Sequence, residues 1–440
     1  MTGVDADRHD DLATPEELFE LATRLFPINR SITGDGVRKS LAILKEHIPE
    51  LMIYEVPSGT QAMDWTVPDE WNITSAKIED PNGNCIVDFA QNNLHVVGYS
   101  TPVNAYISLD ALQPHLHSLP NRPDAIPYVT SYYKRDWGFC LSHRKRSSLL
   151  PGTYRVQIDS VLKPGSLTYG ELVIPGKRKK EIFFSTYICH PSMANNELSG
   201  PVVATYLARW LAAAPREYTY RIIFVPETIG SLVYLSRKLQ HLQAHVEAGF
   251  VLTCCGGPGE FSFMPSRTGQ TYTDRLSRWV LSQFQTKFVE HSFLRRGSDE
   301  RQYCSPLANL PMVSIMRSKY HEYAEYHTSD DDLSFISAES LWHSLNIHKA
   351  ILTAAESNCI PMATMVGEPQ LIKYGAYPSL GGQVRQEEVA ATLDLLAFSD
   401  GKTDLVEISN RTNHGLLSLR QRADWLVSLG LLTLSPDLHT

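Results

Sequence analysis

Apolar positions along the chain follow two rhythms, and the order in which they alternate predicts an α/β fold. Ile182 to Ile188, Tyr220 to Val225, Gly249 to Cys254 and Met312 to Met316 are bulky, β-favouring runs. Between and after them, Val202 to Ala213, Ser231 to Gln243, Asp274 to Gln285 and Ala338 to Thr353 repeat apolar residues at helical spacing. Such alternation reads as a mostly parallel sheet with helices on its faces. Pro15 to Val56 adds two amphipathic helices and a short strand, Met52 to Val56. From about Asp64 to about Leu150 the rhythm breaks into short β-favouring pieces, Ile73 to Ile78, Cys85 to Phe89 and Ala105 to Leu109, among Pro, Asn, Gly and Asp. A small β-rich domain at 63–151 is therefore expected inside a larger one at 1–62 and 152–360. Tyr154 to Ser160 and Leu167 to Ile174 flank a turn-rich segment and predict an antiparallel hairpin. The tail at 368–440 predicts helices at Gln386 to Phe398, Leu405 to Asn410 and Leu416 to Leu429, then a short strand, as in a winged helix.

Composition narrows the function. At 440 residues two or three domains are expected, and no apolar run approaches the ~20 residues of a membrane span. Met1 to Leu12 is acidic and polar, unlike a signal peptide, and a cytoplasmic protein is expected. The seven cysteines are scattered, with no Cys-x-x-Cys pair, which argues against a disulfide framework or a thiolate zinc site. From Glu368 to Thr440 six Lys and Arg face nine Asp and Glu, a net charge of -3 that disfavours nucleic acid as partner.

Candidate chemistry collects in loops after the predicted strands, the edge where open parallel sheets bind ligands. The first loop presents His190, Asn195, Asn196 and Glu197, although a lone loop histidine is more often a surface residue. In the second, Glu227 directly follows a buried-looking strand, where burial raises a carboxyl toward the range of a general base. The alternative is a glutamate favoured by a helix N-terminus. In the third, Asp299, Glu300 and Arg301 crowd together, either to orient a polar substrate or as a surface salt-bridge knot. The fourth carries His327, whose second nitrogen Asp330 or Asp331 is placed to hold. Two histidines on separate loops near carboxylates fit zinc better than a serine triad or a phosphate loop, since no Gly-x-Ser-x-Gly elbow or Gly-rich loop is present. Cys189 adjoins His190, but neighbouring strand residues point to opposite faces, so no thiol nucleophile is expected.

At these residues the chain resembles the zinc aminopeptidase superfamily of the bacterial leucyl aminopeptidase type. It resembles more closely a family of aminopeptidase-like proteins found in bacterial polysaccharide and natural-product gene clusters. The matching stretches are Phe26-Pro-Ile-Asn-Arg-Ser-Ile-Thr-Gly34, Asp64-Trp-Thr-Val-Pro68, Glu70-Trp-Asn72, Asn93-Leu-His-Val-Val97, Pro127-Tyr-Val-Thr-Ser-Tyr-Tyr133, Trp137-Gly-Phe-Cys-Leu-Ser-His143, Cys189-His-Pro-Ser192, Gly297-Ser-Asp-Glu-Arg-Gln-Tyr-Cys304 and Glu325-Tyr-His-Thr-Ser329. The resemblance implies an aminopeptidase-like three-layer αβα domain, an inserted small β domain and a C-terminal winged helix. It also implies that His190 and His327 are metal ligands and Glu227 the general base, with Asn196 where a metal-bridging Asp is expected. Thr228 and Thr253 then stand at the other two metal carboxylates. One zinc held by His190 and His327, with Asn196 or Glu197 as third ligand, is what such a site would keep.

The resulting expectation is a zinc amide hydrolase that removes an amino acid or aminoacyl group from a small peptide or biosynthetic intermediate. Asp299, Glu300 and Arg301 are expected to line its pocket, and Tyr132, Tyr133 and Trp137 to form an apolar wall or lid, or else to pack the small domain's core. A homo-oligomer is compatible with the sequence. The rival expectation is a degenerate, non-catalytic aminopeptidase-fold protein that binds an amino-acid-like ligand and acts as scaffold or regulator.

Overall fold

The computed structural model describes residues 13–284, 287–375 and 383–436, with side chains of the third segment from 388 onward. The chain divides into two compact units, one over Leu12–Asp274 and Lys287–Leu345 and the other over Arg275–Thr286 and Asn346–Thr440 apart from the first residues. The first unit is built on an eight-stranded sheet. Its order is Met52–Pro57, Ser166–Ile174, Thr219–Val225, Glu181–Tyr187, Val246–Leu252, Met312–Arg317, Phe261–Met264 and Phe288–Glu290. The four strands from Thr219–Val225 to Met312–Arg317 run parallel. Every residue of Glu181–Tyr187 is buried, which is why its sequence shows no regular apolar–polar alternation.

The chain leaves Glu181–Tyr187, crosses through helix Ser199–Ala212 to Thr219–Val225 on one side, then returns through helix Ile229–His245 to Val246–Leu252 on the other. Right-handed crossovers in opposite directions put those helices on opposite faces, giving three layers. They also make the carboxyl end of Glu181–Tyr187 a point where strand order reverses. The helix after that strand starts with a π-helical turn, Ala194–Leu198, all five residues of which are buried. Gly200 lets the turn sit directly on the strands, since a Cβ there would lie 2.3 Å from the Leu252 carbonyl oxygen and 2.5 Å from Thr186 Oγ1.

The small sheet has four antiparallel strands in the order Cys85–Asp88, Glu70–Glu79, Thr153–Lys163 and Val103–Ser108. Its membership corrects the hairpin expectation. Thr153–Lys163 pairs with Glu70–Glu79 and Val103–Ser108, whereas Ser166–Ile174 pairs with Met52–Pro57 and Thr219–Val225. Pro164 and Gly165 thus carry the chain from one sheet to the other, and the insertion extends to Lys163 instead of ending near residue 151.

In the second unit, helices Gln383–Phe398, Leu405–Thr412 and Leu416–Ser428 accompany a two-stranded antiparallel sheet, Ile360–Ala363 with Leu432–Ser435. Asp404 caps the middle helix by accepting from Glu407 N, and Leu405, Ile408, Leu416, Leu419 and Leu426 are buried. The helices and final strand fall where the apolar pattern predicts them. Among the described residues no helix is long and apolar enough to cross a membrane.

Replacing Gly200 by Ala forces a methyl into backbone that has no free rotamer to move. The expected outcome is a loss of roughly 1–3 kcal/mol in stability, read from the urea unfolding midpoint.

Candidate active site

The site begins at the reversal point of the main sheet. His190 lies three residues beyond Glu181–Tyr187 and is fixed by the π-helical turn that follows it. Glu197, on that turn, accepts from His190 Nδ1 at 2.7 Å and from the His190 backbone N–H. Its other oxygen takes Arg30 Nε at 2.9 Å, and both members of that ion pair are fully buried. Arg30 also donates to the carbonyls of His190 and Leu25, so it ties the first helix to the loop. Burial disfavours a charged ring at His190, but Cys189 and the Glu197 carboxylate outweigh it and hold the ring's protonation well above its ordinary range. With Nδ1 engaged by a carboxylate, Nε2 is the nitrogen left facing outward. Glu197 is therefore the group that orients His190, and its expected place as a metal ligand is corrected by this geometry.

Glu227 arrives from the next strand. Its carbonyl accepts from Ile229 N at 2.7 Å across Thr228, whose φ of 62° and ψ of -72° define a tight left-handed γ-turn. A β-branched residue in that conformation is strained and persists only where neighbours hold it. Here Asp299 accepts from Thr228 N at 2.8 Å, and Arg301 donates to Thr228 Oγ1 at 2.7 Å. The turn brings Glu227 Oε2 to 3.6 Å from His190 Nε2. Burial pushes the Glu227 carboxyl up, against the opposing pull of His190 and Arg301.

His327 comes from the loop after Met312–Arg317, with a φ of 56°. Its ring centroid lies 5.4 Å from that of His190, and Tyr128 packs against both at 5.1 and 5.2 Å. Burial pushes His327 down to about 2, so its imidazole is neutral. Asp330 and Asp331 do not hold it, which corrects that expectation. Asp330 pairs with Arg122, while Asp331 accepts from Asn195 N, Asn196 N and Tyr323 OH. Asn196 lies between the histidine loops, its Nδ2 at 3.3 Å from His327 Nε2 and its Oδ1 accepting from Tyr187 OH at 3.1 Å.

Two imidazoles that share one tetrahedral zinc, with N–Zn near 2.0–2.1 Å, have ring centroids ~5 Å apart. The His190 and His327 rings fit that spacing for one cation. The residues do not provide for a second, because Thr228 Oγ1 is taken by Arg301 and Thr253 Oγ1 by Tyr187 and the Asn196 carbonyl. Cys189, His190 and Glu197 also cluster closely enough to be considered for a metal. Their donor atoms are already committed to one another and to Arg30, and burial pushes the Cys189 thiol up to about 11. Cys189 does lie beside His190, contrary to the opposite-face expectation, because both residues follow the strand's end.

These groups open into a cavity of about 430 Å³ that Glu227, Arg301, Tyr132 and Tyr133 also line. Tyr133 meets Trp65 edge-on at 5.8 Å. Asp299 and Glu300 do not line it. Asp299 supports the γ-turn and Ser231, and Glu300 accepts from Gly297 N, Ser298 N and Tyr320 OH. Trp137 is corrected as well, since it stacks on His115 at 3.8 Å and packs against the small domain's core. No role was expected for Arg30, Trp65 or Tyr128, and all three, like Gln302, lie in the motif stretches that carry the family resemblance, which was the available signal. Tyr128 reaches the site because its N–H donates to the His327 carbonyl at 2.9 Å and Pro127 bridges Thr328.

A family model described as "Domain of unknown function (DUF4910)" matches residues 19–358, and a winged helix-turn-helix model matches 360–434. The chain is 42% identical over 423 residues to a Clostridium acetobutylicum protein named "Putative polysaccharide biosynthesis protein with aminopeptidase-like domain", covering 96% of this chain and 97% of that one. It is 41% identical, with a TM-score of 0.88 and 96% of each chain covered, to a solved structure named as a "putative peptidase" from Clostridium acetobutylicum. A zinc aminopeptidase from Bacillus subtilis shares the fold at a TM-score of 0.57 and 14% identity, over 78% of this chain and 95% of that one.

Arg30→Met leaves the Glu197 charge buried with its main partner gone. Unfolding in urea is expected to show a loss of about 3–5 kcal/mol, with part of it restored when Glu197→Gln is added.

Proposed function

The chain belongs to the DUF4910 family, with an aminopeptidase-type fold and a C-terminal winged helix, and we propose that it is a zinc-dependent amide hydrolase acting on a small peptide-like or biosynthetic intermediate. The observation that carries this reading is the convergence of His190, His327 and Glu227, from three separate loops, on the floor of one cavity. The name of the Clostridium relative supports a substrate drawn from polysaccharide biosynthesis.

His190 and His327 are the residues that would hold the ion, and a flip of the Asn196 amide would bring its oxygen to the same side. When bound, zinc supplies Lewis acidity toward a carbonyl and makes water a stronger acid. The remaining steps belong to the chain's own side chains. Glu227 accepts a proton from the attacking water and delivers it to the departing nitrogen, so that hydroxyl adds to the carbonyl carbon as the C–N bond breaks. Glu197 keeps the His190 ring in one tautomer and one orientation. Asp299 and Arg301 hold the strained turn that aims Glu227. Tyr128 and Tyr132, linked through their hydroxyls at 3.0 Å, cover the reacting centre from the inserted domain.

The absence of acidic side chains at 196, 228 and 253 favours a second reading, a binder without turnover, and Asn196→Asp separates the two. A gain of zinc and activity identifies a degraded site, and a loss identifies Asn196 as a working part. Elemental analysis of purified chain is expected to give close to one zinc, absent from the His190→Ala, His327→Ala double variant. Glu227→Gln is expected to keep that zinc and lower turnover about 10²–10⁴-fold. Unchanged turnover in Glu227→Gln rules out the hydrolase mechanism.

A further inference from the structure

The charges that face the cavity are few. Among its lining residues Glu227 is the one carboxylate, and Arg301 is the one cation besides His190, whose ring is paired with the buried Glu197 carboxylate. The other acids nearby are used inside the protein. Glu197 is paired with Arg30 and His190, and Asp299 and Glu300 are fully buried outside the lining, with Asp299 Oδ1 bound to the γ-turn and Glu300 Oε1 bound to Gly297, Ser298 and Tyr320. A free ammonium group on a substrate would thus find only Glu227, and pairing with it would remove the proton acceptor that hydrolysis needs. It would also face Arg301. That guanidinium belongs to an exposed residue at the cavity wall and donates to one acceptor among the described residues, Thr228 Oγ1, so its other donors are open to a ligand.

We propose that the substrate is an amide bearing a carboxylate and no free amine, with Arg301 gripping the carboxylate and the Trp65, Tyr132 and Tyr133 wall taking an apolar or ring-shaped group. This rests on the amide-hydrolase reading and narrows it to N-acyl compounds, in contrast to the free amino terminus that an aminopeptidase takes. Planar, bidentate pairing is the geometry a guanidinium offers a carboxylate. The aromatic wall adds area without adding charge, so the neutral end of the molecule has a separate place to lie.

The test uses the full wild-type chain with 3-phenylpropionate, 3-phenylpropylamine and 3-phenylpropanol, an anion, a cation and a neutral alcohol of one shape. None contains an amide, so binding is read without turnover. Titration followed by ligand-observed NMR is expected to show the anion bound about tenfold or more tighter than the amine. Arg301→Met is expected to bring the anion to the affinity that the alcohol shows for the same variant, and Arg301→Lys to keep part of the preference. Equal or tighter binding of the amine, an anion preference that survives Arg301→Met, or no binding of the anion overturns the proposal. Failure of Glu227→Gln to slow hydrolysis would instead remove the hydrolase reading and leave the charge preference standing.

Discussion

The buried Glu197 carboxylate, held between Arg30 and His190, is the constraint on which the rest of the site depends. A carboxylate with no exposed surface is tolerable only when its lone pairs are used, and here a guanidinium, an imidazole and a backbone N–H use them. The same contacts fix the position of the His190 loop against the first helical segment and choose which ring nitrogen faces the cavity. If the pair were looser, His190 would be free to rotate, and its registration with His327 and Glu227 would be lost. The unusual π-helical turn follows from this demand, because its wider winding lets Glu197 reach back to His190 while Asn196 remains beside His327.

The main sheet was legible in the sequence because its central strands are buried on both faces, and they leave short bulky β-favouring runs that alternate with longer helical stretches. Phe261–Met264 and Phe288–Glu290 were not, being only four and three residues long. The fate of Thr153–Lys163 and Ser166–Ile174 was illegible for a different reason. Both have strand patterns and a turn lies between them, yet nothing local states which sheet each strand joins. Pairing is decided by partners far along the chain, such as Glu70–Glu79 for the first and Met52–Pro57 for the second.

At the site, residue types and their loops could be read, and the directions of the side chains could not. His190, Glu227 and His327 converge because each lies in a loop that follows a strand of one sheet, which chain order and the β-favouring runs reveal. Glu197, Asp299 and Glu300 look alike in sequence to ligands or substrate contacts, but each is spent on holding backbone or a neighbouring ring. Arg30 lies 160 residues from the loop it stabilises, a separation over which one sequence gives no pairing signal. Trp137 was ambiguous from the start, since aromatic residues serve cores and cavity walls equally well, and stacking on His115 settles it for the core.

The backbone pairing between residues 126–128 and the His327 loop also ties the inserted segment to the site mechanically. Tyr128 N–H donates to the His327 carbonyl and Ser329 N–H to the Ile126 carbonyl, so this part of the insertion is stitched to one of the groups that would bind the ion. Swinging the small domain away as a hinged cover would break those bonds and disturb His327 at the same moment. The two bonds therefore make this part of the insertion and the placement of His327 a single mechanical unit, so that neither moves without the other.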